Sequence, residues 1–282
     1  MYRDYKVVVV IPAGRRRYLE LLIPQLLDYQ SIVDEYRFWV NTTDSDDIEY
    51  LKHKQTEYPL LFTLEFLTIP CNGNYSIYSF FKDCIDENTI YIRFDDDIVC
   101  MDTLDAFKSF LDFRIDHPEY FLVFANILNN AIITHLHQHF GNLTLENGVV
   151  TYDCMDGLGW KSPIFCKKLH EQVLNKPISS FRFNTCWRLY EKQRISVNCI
   201  SWLGSEFKKF NGMVGQDEEH WLTEIAPNIQ QKINCIYGGF VCVHYAFYTQ
   251  RSHIDSTNIL ERYKQLINTN EHSSLSTSYR SP

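Results

Sequence analysis

Val7 to Ile11 is an unbroken run of β-branched residues that stops at Pro12-Ala13-Gly14, the pattern of a strand buried on both faces. Tyr18, Leu21, Leu22, Gln25, Leu26 and Tyr29 follow at helical spacing and predict an amphipathic helix. Tyr36 to Val40 predicts a second strand, closed by the polar turn Asn41 to Asp47 and followed by a helix through Tyr50 and Leu51. Phe62 to Ile69 reads as a third strand, Ile77 to Ile85 as a helix, and Thr89 to Phe94 as a fourth strand running directly into Asp95. Strands alternating with helices predict an α/β fold: a Rossmann-like, mostly parallel sheet with right-handed crossovers and flanking helices.

Beyond residue 100 the pattern is less regular. Phe121 to Asn126 reads as a strand, Trp160, Trp187 and Trp202 punctuate a mixed region, and a strand from Gly239 to Tyr245 precedes a helix from Thr257 to Ile267. There is no internal repeat and no Pro/Gly linker, so a single domain is expected over 1–267, ahead of a Ser/Thr-rich loose tail over 268–282.

The composition, with 45% hydrophobic and 22% charged residues, suits a folded core. The net charge of −8 leaves no basic stripe to neutralise a nucleic-acid backbone, so nucleic acid is not an expected partner. Nine cysteines without a CxxC pair argue for reduced thiols rather than a disulfide framework or a structural zinc site. The opening MYRDYKVVVVIPAG is too short in its apolar run for a signal-peptide core, and no stretch approaches about 18 apolar residues. The expectation is a cytoplasmic protein without an integral membrane segment, in which the three sequons at Asn41, Asn74 and Asn142 are chance matches.

In open α/β sheets, ligands sit outside the carboxyl ends of the strands. This chain places Ala13-Gly14-Arg15, Asn41-Thr42-Thr43-Asp44 and Asp95-Asp96-Asp97 at those ends. If extended geometry continues past Phe94, Asp95 and Asp97 face one point, because side chains alternate with period two. Two carboxylates held that close call for a counter-charge, which a divalent cation with open positions for phosphate oxygens supplies. The plainer reading of the triplet is a solvated acidic turn or a helix cap. The Arg15-Arg16-Arg17 run could offer guanidinium forks to phosphate, with at least one arginine facing solvent.

The buried first strand, the polar end of the second and the aspartate cluster resemble GT-A glycosyltransferases with a D-x-D motif, of the bacterial or large-virus type, over residues 5–255. The resemblance implies a nucleotide-binding half over 1–100 and a mixed acceptor and catalytic half over 101–267. It also implies that Pro12, Ala13, Gly14, Arg15, Asn41, Thr42, Asp44, Asn74, Tyr75, Asp95 and Asp96 line a nucleotide sugar, with a UDP-sugar the default donor and a glycan the acceptor. Val243 to Arg251 is similar to the late histidine segment of such enzymes, which makes His244 a third metal ligand beside Asp95 and Asp97. A mixed carboxylate and imidazole set favours Mn²⁺ over Mg²⁺. Gly215 to Leu222 resembles the acidic motif that carries the general base of inverting members. Aligned on Trp221, the base falls on Asp217, with Glu218 next. Gln216 departs from the acid often found there, and an acidic helix N-terminus is the plainer alternative.

Asn126, Asn129 and Asn130, with the alternating histidines His135, His137 and His139, could line the sugar pocket. Trp160, Trp187 and Trp202 are possible stacking platforms for the acceptor, with core packing the simpler role. Two rival functions stand beside this one. A sugar nucleotidyltransferase would also start with a loop like Ala13-Gly14-Arg15, but would continue with glycines rather than Arg16-Arg17-Tyr18-Leu19. The other is a non-catalytic glycan-binding or metal-binding domain of the same fold.

Overall fold

The computed structural model describes residues 1–144 and 148–277. Its strands are β1 (Lys6–Ala13), β2 (Glu35–Val40), β3 (Phe62–Phe66), β4 (Thr89–Phe94), β5 (Ile98–Met101), β6 (Tyr120–Leu128), β7 (Cys186–Arg188), β8 (Cys199–Leu203) and β9 (Ile233–His244). They form one sheet in the order β3-β2-β1-β4-β8-β6-β9-β5, with β7 paired to β9. Neighbours β3, β2, β1 and β4 are parallel, as are β6 and β9. By contrast β8 runs antiparallel to both β4 and β6, and β5 and β7 run antiparallel to β9. The fold is therefore a single α/β domain with a mostly parallel central sheet flanked by helices.

The β-branched run of β1 forms the spine. Val7, Val8, Val9, Val10 and Ile11 are buried between β2 and β4, as a strand covered on both faces requires. Helix α1 (Arg16–Leu27) lays Leu19, Leu22, Ile23 and Leu26 on the core, and α2 (Ser45–Glu57) begins at Asp44, whose carboxylate accepts from the amides of Asp46 and Asp47. Helices α3 (Leu104–Asp116), α4 (Ala131–His139) and α5 (Pro163–Leu174) belong to the second half.

Several elements differ from the sequence pattern. β3 stops at Phe66 because its neighbour β2 ends at Val40, the register partner of Phe66, so Leu67 to Ile69 have no strand to pair with. The expected helix over 77–85 is a 3-10 segment, Gly73–Asp83. The last strand begins at Ile233 rather than Gly239. Gly238 hides the continuity: a Cβ there would lie 2.1 Å from the Phe183 carbonyl oxygen, so close backbone approach demands glycine inside the strand. The C-terminal helix, Ile259–Thr277, runs past Ile267 across most of the expected loose tail, while 278–282 lie outside the described residues. No helix among the described residues is long and apolar enough to cross a membrane, and all nine cysteines are free.

Candidate active site

The carboxyl ends of β1, β2, β4, β6 and β9 open on one edge, and the antiparallel β8 presents its beginning there. The aspartate cluster occupies the centre of this edge. β4 ends at Phe94, and the chain turns at once: the Asp95 carbonyl accepts from the Ile98 amide at 3.2 Å. Neighbouring backbone ties this turn on both sides, through Asp95 N to Asn198 O and Tyr245 N to Asp97 O, each 2.9 Å.

This turn corrects the expectation that Asp95 and Asp97 aim at one point. Extended geometry stops before Asp95, and the two side chains enter different surroundings. Asp95 takes Arg93 Nη2 at 2.8 Å on one oxygen and Asn198 Nδ2 at 3.1 Å on the other. Asp97 is buried against Arg251 Nη2 (2.8 Å), Arg15 Nη1 (3.1 Å) and His244 Nε2 (3.5 Å), all on its Oδ2. Between them Asp96 accepts from the Gly14 amide at 3.0 Å and from the Arg15 guanidinium through two nitrogens. Burial opposes charge on Asp97, but Arg15, His244 and Arg251 together hold its carboxyl well below the usual carboxylate range.

His244 and Asp97 suit a shared cation. The His244 Nδ1 lies 3.1 Å from the Asn129 carbonyl oxygen, which can only accept, so Nδ1 donates to it and Nε2 is the nitrogen turned towards Asp97. With the carbonyl orienting the ring from behind, Nε2 and the Asp97 oxygen are the two atoms that could ligate one metal in place of their mutual contact. Asp95 does not join them, and among the described residues no three His, Cys, Asp or Glu side chains converge on a metal position. A cation here would draw two ligands from the chain and leave its other positions to phosphate oxygens and water. It would have to share Asp97 with two guanidinium groups. Asn129, which holds the histidine, sits at φ +63°, an unusual conformation for a residue other than glycine.

The acidic segment resolves differently from its alignment. Asp217 caps a short helix through the His220 amide, pairs with Arg194 at 3.0 Å and is about half exposed. Glu218 is buried. Its Oε1 accepts from Arg93 Nη1 at 2.7 Å, and its Oε2 is buried without a hydrogen-bond partner. Burial pushes its carboxyl up to about 7, against the opposing pull of Arg93. Arg93, itself buried, thus joins Glu218 to Asp95. Neither Arg93 nor Asn198 was expected from the sequence, although Arg93 is the one charged residue of β4, and a charge inside a buried strand calls for a partner.

The remaining expected residues divide. Gly14 packs where a Cβ would lie 2.9 Å from the Asn41 carbonyl oxygen, and Pro12 and Ala13 pair with the end of β2. Asn41 is held by Gly73 O and Ser76 Oγ at 3.0 and 2.9 Å. Thr42 and Asp44 serve the turn and cap of α2, while Asn74 and Tyr75 stand exposed on the 3-10 segment. Asn126, Asn129 and Asn130 do not line an open sugar pocket. They are buried, and their amides tie backbone carbonyls of Phe181, Tyr245 and Ser196. His137 is likewise buried against Asn126 at 2.6 Å. Trp202 is a core residue stacked on Tyr91, whereas Trp160 and Trp187 are half-buried.

No family model matches the chain, and no curated protein matches it in sequence. Among solved structures, the mannosyltransferase PcManGT from Pyrobaculum calidifontis in complex with GDP-Man and Mn²⁺ superposes with a TM-score of 0.53 at 11% identity, over 88% of this chain and 59% of its own. GalNAc-T7 with UDP, GalNAc and Mn²⁺ gives 0.52 at 10% identity, over 94% of this chain and 47% of its own. The chain therefore spans about three fifths and about half of these two proteins. At such identity the likeness establishes a shared fold, that of GT-A-type glycosyltransferases.

Proposed function

We propose that this chain transfers a sugar from a nucleotide diphosphate sugar, with UDP-sugars the first donors to consider, to a glycan hydroxyl. The observation that carries the reading is the convergence of Asp97, His244, Arg15 and Arg251 on the ligand-binding edge of a GT-A-type sheet, to which the buried Glu218 is linked through Arg93 and Asp95. The first four match a diphosphate and its counter-ion. Arg251 offers a guanidinium group that suits phosphate oxygens, Arg15 holds Asp96 and Asp97 with all three of its nitrogens, and Gly14 lets the chain after β1 pack closely on Asn41. Mn²⁺, held by Asp97 and His244, would supply Lewis-acid stabilisation of the departing diphosphate.

Glu218 is the proposed general base, with Asp217 the alternative. Arg93 anchors one Glu218 oxygen, and the other is buried without a partner in the protein, so it would take the proton of an acceptor hydroxyl once binding brings that hydroxyl to it. A carboxyl titrating near 7 is a stronger base than an ordinary glutamate and is still substantially ionised at neutral pH. A carboxylate base acting on the acceptor accords with transfer with inversion. Asp217 is about half exposed and paired with Arg194.

The test is calorimetry and thermal shift with UDP-, GDP-, dTDP- and CMP-sugars, each with Mn²⁺ and with EDTA, followed by product analysis for the donor that binds. Cation-dependent stabilisation by one nucleotide family is expected. No response to any of them would remove the transferase reading and favour a non-catalytic domain of the same fold.

A further inference from the structure

Three nitrogens crowd one oxygen at the centre of the edge. Asp97 Oδ2 faces Arg251 Nη2 at 2.8 Å, Arg15 Nη1 at 3.1 Å and His244 Nε2 at 3.5 Å. A carboxylate oxygen has two lone-pair positions, and two guanidinium groups already claim them. The charges of the cluster balance as well, with Asp96 and Asp97 matched by Arg15 and Arg251. Asp97 and His244 can therefore hold a divalent cation only if one guanidinium withdraws.

The two arginines are not equally bound. Arg15 spreads Nε, Nη1 and Nη2 over Asp96 and Asp97 and lies over the Tyr18 ring at 5.1 Å, so its withdrawal would strand two buried carboxylates. Arg251 donates through Nη2, to Asp97 and to the Ala246 carbonyl, each at 2.8 Å. Its Nε is buried without a hydrogen-bond partner, so its seat on Asp97 leaves part of the guanidinium unsatisfied. The side chain is 27% exposed and rides on the short helix Tyr248–Ile254, which gives it a path towards a ligand arriving from solvent.

We infer that Arg251 is an exchangeable counter-ion: it holds Asp97 until cation and donor enter together, then moves from Asp97 to the diphosphate oxygens. The identity of the cation and of the diphosphate rests on the transferase reading. Arg251 is thus a positioning residue that couples two ligands. Without donor, its bond to Asp97 competes with a cation; with donor, the phosphate oxygens give the guanidinium a new partner and supply the negative charge that a divalent cation adds a need for. Coupling between two ligands is reciprocal, so loss of Arg251 must act on both, with opposite sign: the cation alone gains affinity and the nucleotide loses it.

The experiment is calorimetry of Mn²⁺, alone and with saturating UDP or GDP, on the full chain and on its Arg251→Gln and Arg251→Met variants. Both variants should bind Mn²⁺ alone about tenfold more tightly than the parent and, with Mn²⁺ present, bind the nucleotide about tenfold more weakly. Adding Asp97→Ala to Arg251→Gln should remove the gain. Arg17→Gln deletes a positive charge that pairs with Asp255 at 2.8 Å rather than with Asp97, and should match the parent. Mn²⁺ affinity no higher in the Arg251 variants, an equal gain in Arg17→Gln, or no Mn²⁺ binding to any of these proteins would overturn the exchange. Tighter Mn²⁺ binding in the Arg251 variants, in a protein that answers to no nucleotide, would instead sink the transferase reading and leave the competition between Arg251 and the cation standing.

Discussion

Arg93 and Glu218, 125 positions apart, meet at 2.7 Å in a buried ion pair, and the same guanidinium holds Asp95. Removing one partner of a buried pair strands the other charge, at a cost of about 3–5 kcal/mol. Arg93→Ala should therefore lose about that much stability in urea unfolding, and Arg93→Lys somewhat less. A loss below about 1 kcal/mol would show that solvent reaches the pair.

Glu218→Gln keeps the size of the side chain and removes the base. Turnover should fall about 10²-fold or more while donor affinity stays near that of the parent. Full activity in this variant, together with loss of activity in Asp217→Asn, would move the base to Asp217. The parent rate should rise with pH through about 7, where Glu218 ionises.

The same group affects stability in the opposite sense. Its folded-state carboxyl titrates above the unfolded one, so the folded protein binds the extra proton between the usual carboxylate range and about 7. The stability contributed by this group is present below that window and lost as pH rises through it. Subtracting Glu218→Gln unfolding curves from those of the parent across this range should isolate the slope.

His170 titrates oppositely. It is buried between the Tyr245 carbonyl and the Tyr263 hydroxyl, at 2.7 and 2.9 Å, and burial pushes it down to about 4. The unfolded chain takes up the proton first, so stability from this residue is lost as pH falls from about 6.5 towards 4. Thermal melts of His170→Asn against the parent should show a smaller acid dependence in the variant.

Asp97→Ala removes the oxygen that Arg15, Arg251 and His244 share. Nucleotide binding that depends on Mn²⁺ should disappear, as read by calorimetry with and without EDTA. Unchanged metal-dependent binding would place the cation elsewhere.

Gly14→Ala tests the close approach of β1 and β2, since the added Cβ would stand 2.9 Å from the Asn41 carbonyl oxygen and 3.3 Å from the Thr42 Cβ. Donor affinity should drop by about tenfold, with a melting temperature lowered by only a few degrees. A large loss of stability with normal affinity would make the glycine purely structural.

The order of strands through residue 94, the first two helices, the end of β4 at Phe94 and the gathering of polar clusters at one sheet edge were legible from the chain alone, whereas the 3-10 form of Gly73–Asp83 was not. These features rest on periodicities of 2 and 3.6 and on local turn chemistry, which adjacent residues carry. The roles of the clusters were not legible. Asp95 parts from Asp97 because a turn sealed by Asn198 and Tyr245 interrupts the strand geometry. Glu218 rather than Asp217 lies buried because Arg93 awaits it, and Arg251 reaches Asp97 across 154 positions. The antiparallel insertion of β8 between β4 and β6 brings Asn198 to the same edge. Such contacts join residues distant along the chain and leave no local pattern, so burial, charge pairing and basicity at this edge were settled only when the sheet assembled.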